Sequence, residues 1–104
     1  MPRVLFDKTV LINNIIIFTL NNEWQQEDIA DLAQQIFVRL INYTLIETNE
    51  GADCLNIRFQ HQQIVFILQF DVSSQSCWLE CEALIDNETL VNIFTKMKQG
   101  IENK

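Results

Sequence analysis

The amino-acid sequence predicts an α+β fold in which two helices pack on one face of a mostly antiparallel sheet. Residues 62–71 form an apolar run whose side chains would point to both faces of a strand, as in a strand covered on both sides. Apolar residues between positions 29 and 40 recur with the spacing of one helix face. The predicted order is β-α-β-β-β-β-α, a two-layer sandwich that forms a single domain over residues 1–104.

The N-terminal part of the chain is predicted to hold one long strand and the first helix. The strand covers Leu11–Leu20, where β-branched and aromatic residues are frequent, and Val4–Phe6 forms a short edge strand or a flap. Asn22 is the expected N-cap of the helix, with Gln25 as its reciprocal partner, and the helix runs to about Ile41. Its core-facing stripe comprises Ile29, Leu32, Ala33, Ile36, Phe37 and Leu40. Its outward residues are expected to be Asp28, Asp31, Gln35 and Arg39.

Four further strands are expected to follow as an antiparallel meander. Gly51 is the natural position for a positive φ in the turn between the first two of them. His61–Gln62 is predicted as the tight turn that precedes the third. The four strands are predicted at residues 43–48, 54–60, 62–71 and 77–83.

The C-terminal part is predicted to be a second helix that begins after Asp86, its N-cap. Gly100 is placed to end this helix, and residues 101–104 are expected to fray. The apolar stripe of the helix comprises Leu90, Ile93, Phe94 and Met97.

Composition and charge exclude several classes of function. The chain has 104 residues, of which 14 are acidic and 7 basic, so its net charge is −7. Such a surface argues against nucleic acid and against anionic membranes, and it favours a basic partner. No signal peptide or spanning segment is recognised, and three cysteines without close pairs suit reduced thiols, so a cytoplasmic location is predicted.

Three short motifs carry a resemblance to a known family. These are Trp24 before an amphipathic helix, Gly51-Ala52-Asp53 before a strand, and Ser76-Cys77-Trp78-Leu79-Glu80 in the last strand. With them the chain resembles a family of small stand-alone proteins of unknown function from gamma-proteobacteria. The resemblance implies a one-domain bacterial cytosolic protein, and it supplies no catalytic residues.

No catalytic or cofactor-binding residue is predicted, and whether the chain is an enzyme stays open. His61 is the only histidine and lies in a predicted surface turn, away from any evident nucleophile. Cys77 and Cys81 would share a strand face but lie ~13 Å apart, too far for one zinc ion. No glycine-rich phosphate loop is present, since the chain holds only two glycines.

Two carboxylates on the last strand raise the hypothesis of a metal site. Glu80 and Glu82 would share one strand face ~7 Å apart, where they could hold a hard cation with help from Asp71 or Glu47. A solvated strand face is the simpler interpretation, so no metal ligand is assigned.

The strongest functional hint is a second apolar sheet face, opposite the one that the helices cover. Val65 and Ile67 would point to that face, and two helices on the first face leave it to be covered either by the N-terminal segment or by another chain. Trp78 would lie on that face beside Glu80, as an aromatic anchor surrounded by carboxylates. The alternative is that Trp78 packs over Arg58 or over side chains of a neighbouring strand. The predicted interaction residues are Trp78, Glu80, Glu82, Val65, Ile67 and Arg58.

These observations support three hypotheses about function. The first is a non-enzymatic interaction module that self-associates, as a homodimer, through the second sheet face or an edge strand. The second is a small-molecule or metal-binding protein, possibly an enzyme, with its site between sheet and helices or on the carboxylate face. The third is an acidic inhibitor or immunity-like protein that masks a basic target.

Overall fold

The computed structural model describes residues 3–40, 42–83 and 85–102, and it confirms the α+β class. Six strands form one sheet in which every neighbouring pair is antiparallel. The sheet contains one strand more than predicted. The elements are β1 (Phe6–Ile12), β2 (Ile15–Leu20), a 3-10 turn (Gln26–Asp28), α1 (Ile29–Phe37), β3 (Tyr43–Glu50), β4 (Cys54–His61), β5 (Ile64–Asp71), β6 (Ser76–Cys81) and α2 (Asn87–Glu102).

The extra strand arises because the predicted strand Leu11–Leu20 is in fact part of a hairpin. Asn13 and Asn14 both have positive φ, 50° and 65°, and they separate β1 from β2. Two successive residues with positive φ form the tight turn whose twist matches a hairpin, and asparagine tolerates that conformation. The expected edge strand or flap at Val4–Phe6 contributes only Phe6 to β1.

The strand order in the sheet is β1-β2-β6-β5-β4-β3. The predicted meander from β3 to β6 is confirmed, and the N-terminal hairpin joins it through pairing of β2 with β6. The segment that contains α1 connects β2 to β3, which lie four positions apart in the sheet. The edges of the sheet are therefore β1 and β3.

One hydrophobic core joins the buried side chains of both helices to alternate residues of the strands. Phe59 is fully buried, and its ring packs edge-on against Phe37 and is stacked with Phe66. Trp24 is buried against Phe70. The strand residues that enter this core include Ile16, Phe18, Ile57, Phe59, Phe66, Leu68, Phe70, Cys77 and Leu79.

His61 belongs to this buried side of the sheet, so its predicted place in a surface turn is wrong. It is the last residue of β4 and only 5% exposed, and its Nδ1 has no hydrogen-bond partner among the described residues. The turn lies one residue later, at Gln62 and Gln63, which have φ of 53° and 66°. The apolar alternation of β4 continues through His61 and places its ring inward.

The first helix begins later and ends earlier than predicted. Gln25, not Asn22, is the N-cap of the 3-10 turn that leads into α1, and its N–H donates to Asp28 Oδ2 over 2.8 Å. The helix ends at Phe37, and the predicted end near Ile41 lies outside the described residues. Gln35 is 8% exposed rather than outward, because its amide donates to the Val4 carbonyl and to Asp31.

The turn between β3 and β4 brings Gly51 close to the exposed Cys54 side chain, which would have to rotate if a Cβ were added. Gly51 does not have a positive φ, which corrects the prediction. A Cβ at this position would lie 2.6 Å from Cys54 Sγ, well inside van der Waals contact.

The second helix begins as predicted and continues further than predicted. The Thr89 N–H donates to Asp86 Oδ1 over 2.8 Å, which makes Asp86 the N-cap. The helix passes through Gly100 to Glu102, and Ile101 is buried, so the expected fraying from residue 101 is wrong. Residues 103 and 104 lie outside the described part of the chain. Neither of the helices described here is long and apolar enough to cross a membrane.

The Asp86 cap predicts a pH-dependent contribution to stability. Hydrogen bonds from Thr89 hold the pKa of Asp86 below its ordinary value of 3.8. A carboxyl with a depressed pKa stabilises the fold fully above its ordinary pKa, and it loses that contribution as the pH falls through its lowered, folded-state pKa. We expect Asp86→Ala to lower the melting temperature by a few degrees at neutral pH and by less below pH 3.8. Thermal unfolding, followed by circular dichroism from neutral pH to below pH 3.8, measures the melting temperatures of both proteins. An equal decrease in melting temperature at all pH values would contradict the prediction.

Candidate functional site

The sheet face that points away from the core carries a continuous group of apolar side chains. Val10, Ile17 and Trp78 are direct cross-strand neighbours on β1, β2 and β6. Ile12 faces Ile15 in the same hairpin. We call these five residues the apolar patch. Val10 is 44% exposed, Ile12 48% and Ile17 38%, whereas the alternate residues Ile16 and Phe18 are buried.

Trp78 is held rigidly within the apolar patch. Its indole N–H donates to Glu80 Oε1 over 3.1 Å, and the same oxygen accepts a 2.8 Å bond from the Gln69 amide. The ring is half-buried between its cross-strand neighbours Ile17 and Gln69. Trp78 therefore packs on neighbouring strands and not on Arg58, which lies two strands away on β4. A side chain fixed before binding loses little conformational entropy when a partner covers it.

Charged groups occupy the other half of the same face. Arg58 bridges Glu47 at 2.6 Å and Glu82 at 3.1 Å, and we call these three residues the charged cluster. Each side chain is more than a third exposed, so screening by water keeps the contribution of either ion pair small. Ile67 lies between Glu80 and Arg58 in the register, and Val65 lies opposite Gln60.

The six predicted interaction residues therefore share one face but divide into two parts. Trp78 belongs to the apolar patch, and Glu80 orients it. Arg58 and Glu82 belong to the charged cluster. Ile67 and Val65 are half-buried beside that cluster, so they are less accessible than the apolar side chains of the hairpin.

A groove of about 670 Å³ opens at one end of the apolar patch. Its volume lies within the range typical of small-ligand sites. Asn21, Asn22 and Glu23 supply polar groups at its wall. The groove is lined by Ile15, Ile17, Phe18, Thr19, Leu20, Asn21, Asn22, Glu23, Trp24, Gln75, Ser76, Cys77 and Trp78.

The two edges of the sheet differ in how they are protected. On β1 the Thr9 N–H donates to Glu102 Oε2 over 2.9 Å, and α2 packs beside this strand. On β3 every residue after Tyr43 is exposed, including Leu45 at 56% and Ile46 at 47%. An irregularity between Leu45 and Glu47 interrupts the register with β4. Such a bulge is one way in which a protein limits unwanted pairing at an edge.

The thiols on β6 are held in their protonated form. Burial raises the pKa of Cys77 well above its ordinary value. Burial and then the nearby Glu80 carboxylate raise the pKa of Cys81. A thiol is a poor nucleophile and a poor metal ligand in this form, because the thiolate is the reactive species.

The groups proposed for a metal do not meet in one place. Glu80 binds Trp78 and Gln69, whereas Glu82 and Glu47 bind Arg58. Asp71 accepts from the Ser73 hydroxyl over 2.7 Å in the turn after β5. Within residues 3–40, 42–83 and 85–102, no group of three or more histidine, cysteine, aspartate or glutamate side chains is arranged to hold a metal ion.

Sequence reasoning missed the two most exposed members of the apolar patch. Val10 and Ile12 belong to β1, and the prediction of one strand over Leu11–Leu20 left no partner strand beside Ile15 and Ile17. The signal that could have found them is the Asn13-Asn14 pair, a turn sequence inside an apolar run.

Comparison with known families gives one match. Residues 10–98 match the model of a family described as "Protein of unknown function (DUF3630)". The matched range includes the apolar patch, the charged cluster, all of the edge strand β3 and the last three residues of β1. It is consistent with the predicted resemblance to a small family without an assigned function. No curated protein and no solved structure matches the chain.

Proposed function

We propose that this chain, which belongs to the DUF3630 family, is a non-enzymatic protein-interaction module that self-associates as a homodimer through the apolar patch. One observation carries the proposal. Three large apolar side chains on one hairpin are each more than a third exposed and adjoin a rigid, half-buried tryptophan. A contiguous apolar area of this kind on a soluble domain favours a protein partner. The proposed setting is a single domain of residues 1–104 in the cytoplasm of a gamma-proteobacterium, with no cofactor.

The distribution of charge supports a second copy as the partner. Five apolar residues make up the patch, while the charged cluster occupies the strands on the other side of the same face. Two chains of net charge −7 repel each other, and they approach with the least repulsion through the exposed, uncharged hairpin side chains Val10, Ile12 and Ile17. A two-fold axis through the hairpin places apolar side chains on apolar side chains.

Repulsion between the copies makes the salt dependence a specific test. We expect the dimer to tighten as ionic strength rises from about 0.05 M to about 0.5 M, since salt screens repulsion between like charges. Sedimentation velocity at ionic strengths across this range measures the monomer–dimer equilibrium, and native mass spectrometry gives the mass of each species. The expected species is a dimer of twice 12.2 kDa. A chain that stays monomeric at both ionic strengths would contradict the proposal.

A second candidate function rests on the groove at the end of the apolar patch. Its volume of about 670 Å³ and its mixture of Trp78 with polar groups suit a small organic ligand. Native mass spectrometry separates the two candidates, because a monomer that carries a stable additional mass favours ligand binding over dimerisation.

A further inference from the structure

A smaller groove, of about 340 Å³, runs along the free edge of the sheet. One side is formed by β3 and β4, and the other by the 3-10 turn and α1. We call it the edge groove, and it lies on the sheet edge opposite the hairpin that carries the apolar patch. Its lining residues are Thr48, Glu50, Leu55 and Ile57 from the sheet, with Gln26, Glu27, Ile29, Ala30 and Ala33 from the helical side.

The backbone at this edge is oriented to accept another strand. The Gly51 N–H donates to the Cys54 carbonyl over 2.8 Å, and the register pairs Glu50 with Leu55 and Thr48 with Ile57. Hydrogen-bonded and non-hydrogen-bonded pairs alternate along an antiparallel ladder. Thr48 and Glu50 therefore belong to the pairs whose N–H and C=O groups point away from β4. Both residues line the edge groove.

The electrostatics of the edge groove select a cationic side chain. Glu27 and Glu50 contribute carboxylates to its lining, and its lining residues, among those that the structure describes, include no lysine or arginine. The Gln26 amide nitrogen lies 3.4 Å from Glu50 Oε2, while Gln26 Oε1 is buried and has no hydrogen-bond partner among the described residues. A buried acceptor without a donor carries a desolvation penalty that a new donor relieves.

The floor of the edge groove suits the aliphatic part of such a side chain. Ala30 and Ala33 are small, and Leu55 and Ile57 are apolar. Lysine and arginine place their methylene groups on surfaces of this kind while the charged end reaches acceptors. The acceptors available here are the Glu27 and Glu50 carboxylates and Gln26 Oε1.

We propose that the edge groove binds an extended segment of another protein, which pairs with Thr48–Glu50 and inserts a lysine or arginine side chain. Strand addition supplies the backbone hydrogen bonds, and the pocket beside the edge supplies specificity. A second copy of this chain is disfavoured as the occupant, because its own β3 would bring Glu47 and Glu50 against the same residues. The site is separate from the dimer surface, so the two proposals can fail independently.

The test uses the full chain and three synthetic hexapeptides. The basic peptide is acetyl-Thr-Arg-Val-Arg-Val-Thr-amide, the second replaces both arginines with glutamate, and the third N-methylates alternate backbone nitrogens of the basic peptide. We expect the basic peptide to bind and the other two to bind at least about tenfold more weakly, since one loses the charge pairing and the other the edge hydrogen bonds. Fluorescence anisotropy measures the dissociation constants, and amide chemical shifts of Thr48 and Glu50 locate the site.

Matched variants decide whether the edge groove is responsible. The double variant Glu27→Gln/Glu50→Gln is expected to raise the dissociation constant of the basic peptide at least about tenfold. The control Glu88→Gln removes one exposed charge on α2, away from the edge groove, and is expected to change that constant little. Thr48→Pro removes one outward N–H and is expected to weaken binding without unfolding the edge. The proposal would be overturned if the N-methylated peptide bound as tightly as the basic peptide. It would also be overturned if Glu88→Gln weakened binding as much as the double variant does, or if Thr48→Pro dissociated the homodimer.

Discussion

Ile17→Glu is expected to raise the dissociation constant of the homodimer at least about 100-fold, which leaves a monomer at micromolar concentration. Ile17 lies at the centre of the apolar patch, between Val10 and Trp78 in the register, and it is 38% exposed in the single chain. A carboxylate at this point would lose its water without gaining a cationic partner. A two-fold interface contains the substitution twice, so the penalty is doubled.

A matched control separates this effect from a general effect of added charge. Val91 on α2 is also apolar, and it is 37% exposed, almost the same fraction as Ile17. Val91→Glu adds the same charge outside the patch, so we expect the homodimer to persist. Sedimentation equilibrium gives the association state of both variants, and circular dichroism verifies the fold of each. If the two substitutions weaken the dimer equally, or if Ile17→Glu leaves it intact, the patch is not the interface.

Phe59→Ala is expected to destabilise the fold by about 3–5 kcal/mol, a large part of the stability of a domain this size. The ring is fully buried and joins α1 to the sheet through Phe37 and Phe66. Its removal leaves a cavity where the ring contacts Phe37 of α1 and Phe66 of β5. Equilibrium unfolding in urea, at one fixed protein concentration because the chain is proposed to dimerise, measures the change.

The partner of Phe59 in the neighbouring strand supplies the control. Leu45 lies opposite Phe59 in the register but is 56% exposed at the sheet edge. Leu45→Ala removes apolar atoms that already contact water, so the expected change is about 0.5 kcal/mol or less. A Leu45→Ala effect as large as that of Phe59→Ala would mean that the free edge of β3 is buried in solution, for example against a second copy.

The sequence was sufficient for the class of the fold, for the meander and for the Asp86 cap. These features depend on periodicity and on one capping residue, which act over a few positions. The hairpin at Asn13-Asn14 was missed because β-branched residues on both sides outweighed a two-residue turn signal. His61 and Gln35 were misplaced because tertiary neighbours, and not local pattern, decide that a polar side chain is buried. For Gln35 the neighbour is the Val4 carbonyl.

The candidate site was predicted only where it depends on strand alternation. Alternation correctly placed Trp78, Glu80 and Arg58 on the same side of the sheet. It could not show that Glu80 binds Trp78 or that Arg58 joins two glutamates, because those contacts depend on which strands are neighbours. The pairing of β2 with β6 is the decisive long-range fact, and no local signal specifies it.

The bond between Thr9 and Glu102 has a consequence for how the chain folds. These residues are 93 positions apart, so the first strand and the last helical turn protect each other only after nearly the whole chain has been synthesised. The hairpin of β1 and β2 also waits for β6 before it gains a neighbour in the sheet. Contacts this distant in sequence slow folding, because loop closure comes before any stabilising contact. Until then the hairpin exposes Val10, Ile12 and Ile17 beside an open strand edge, so we expect it to be prone to association with other chains during folding.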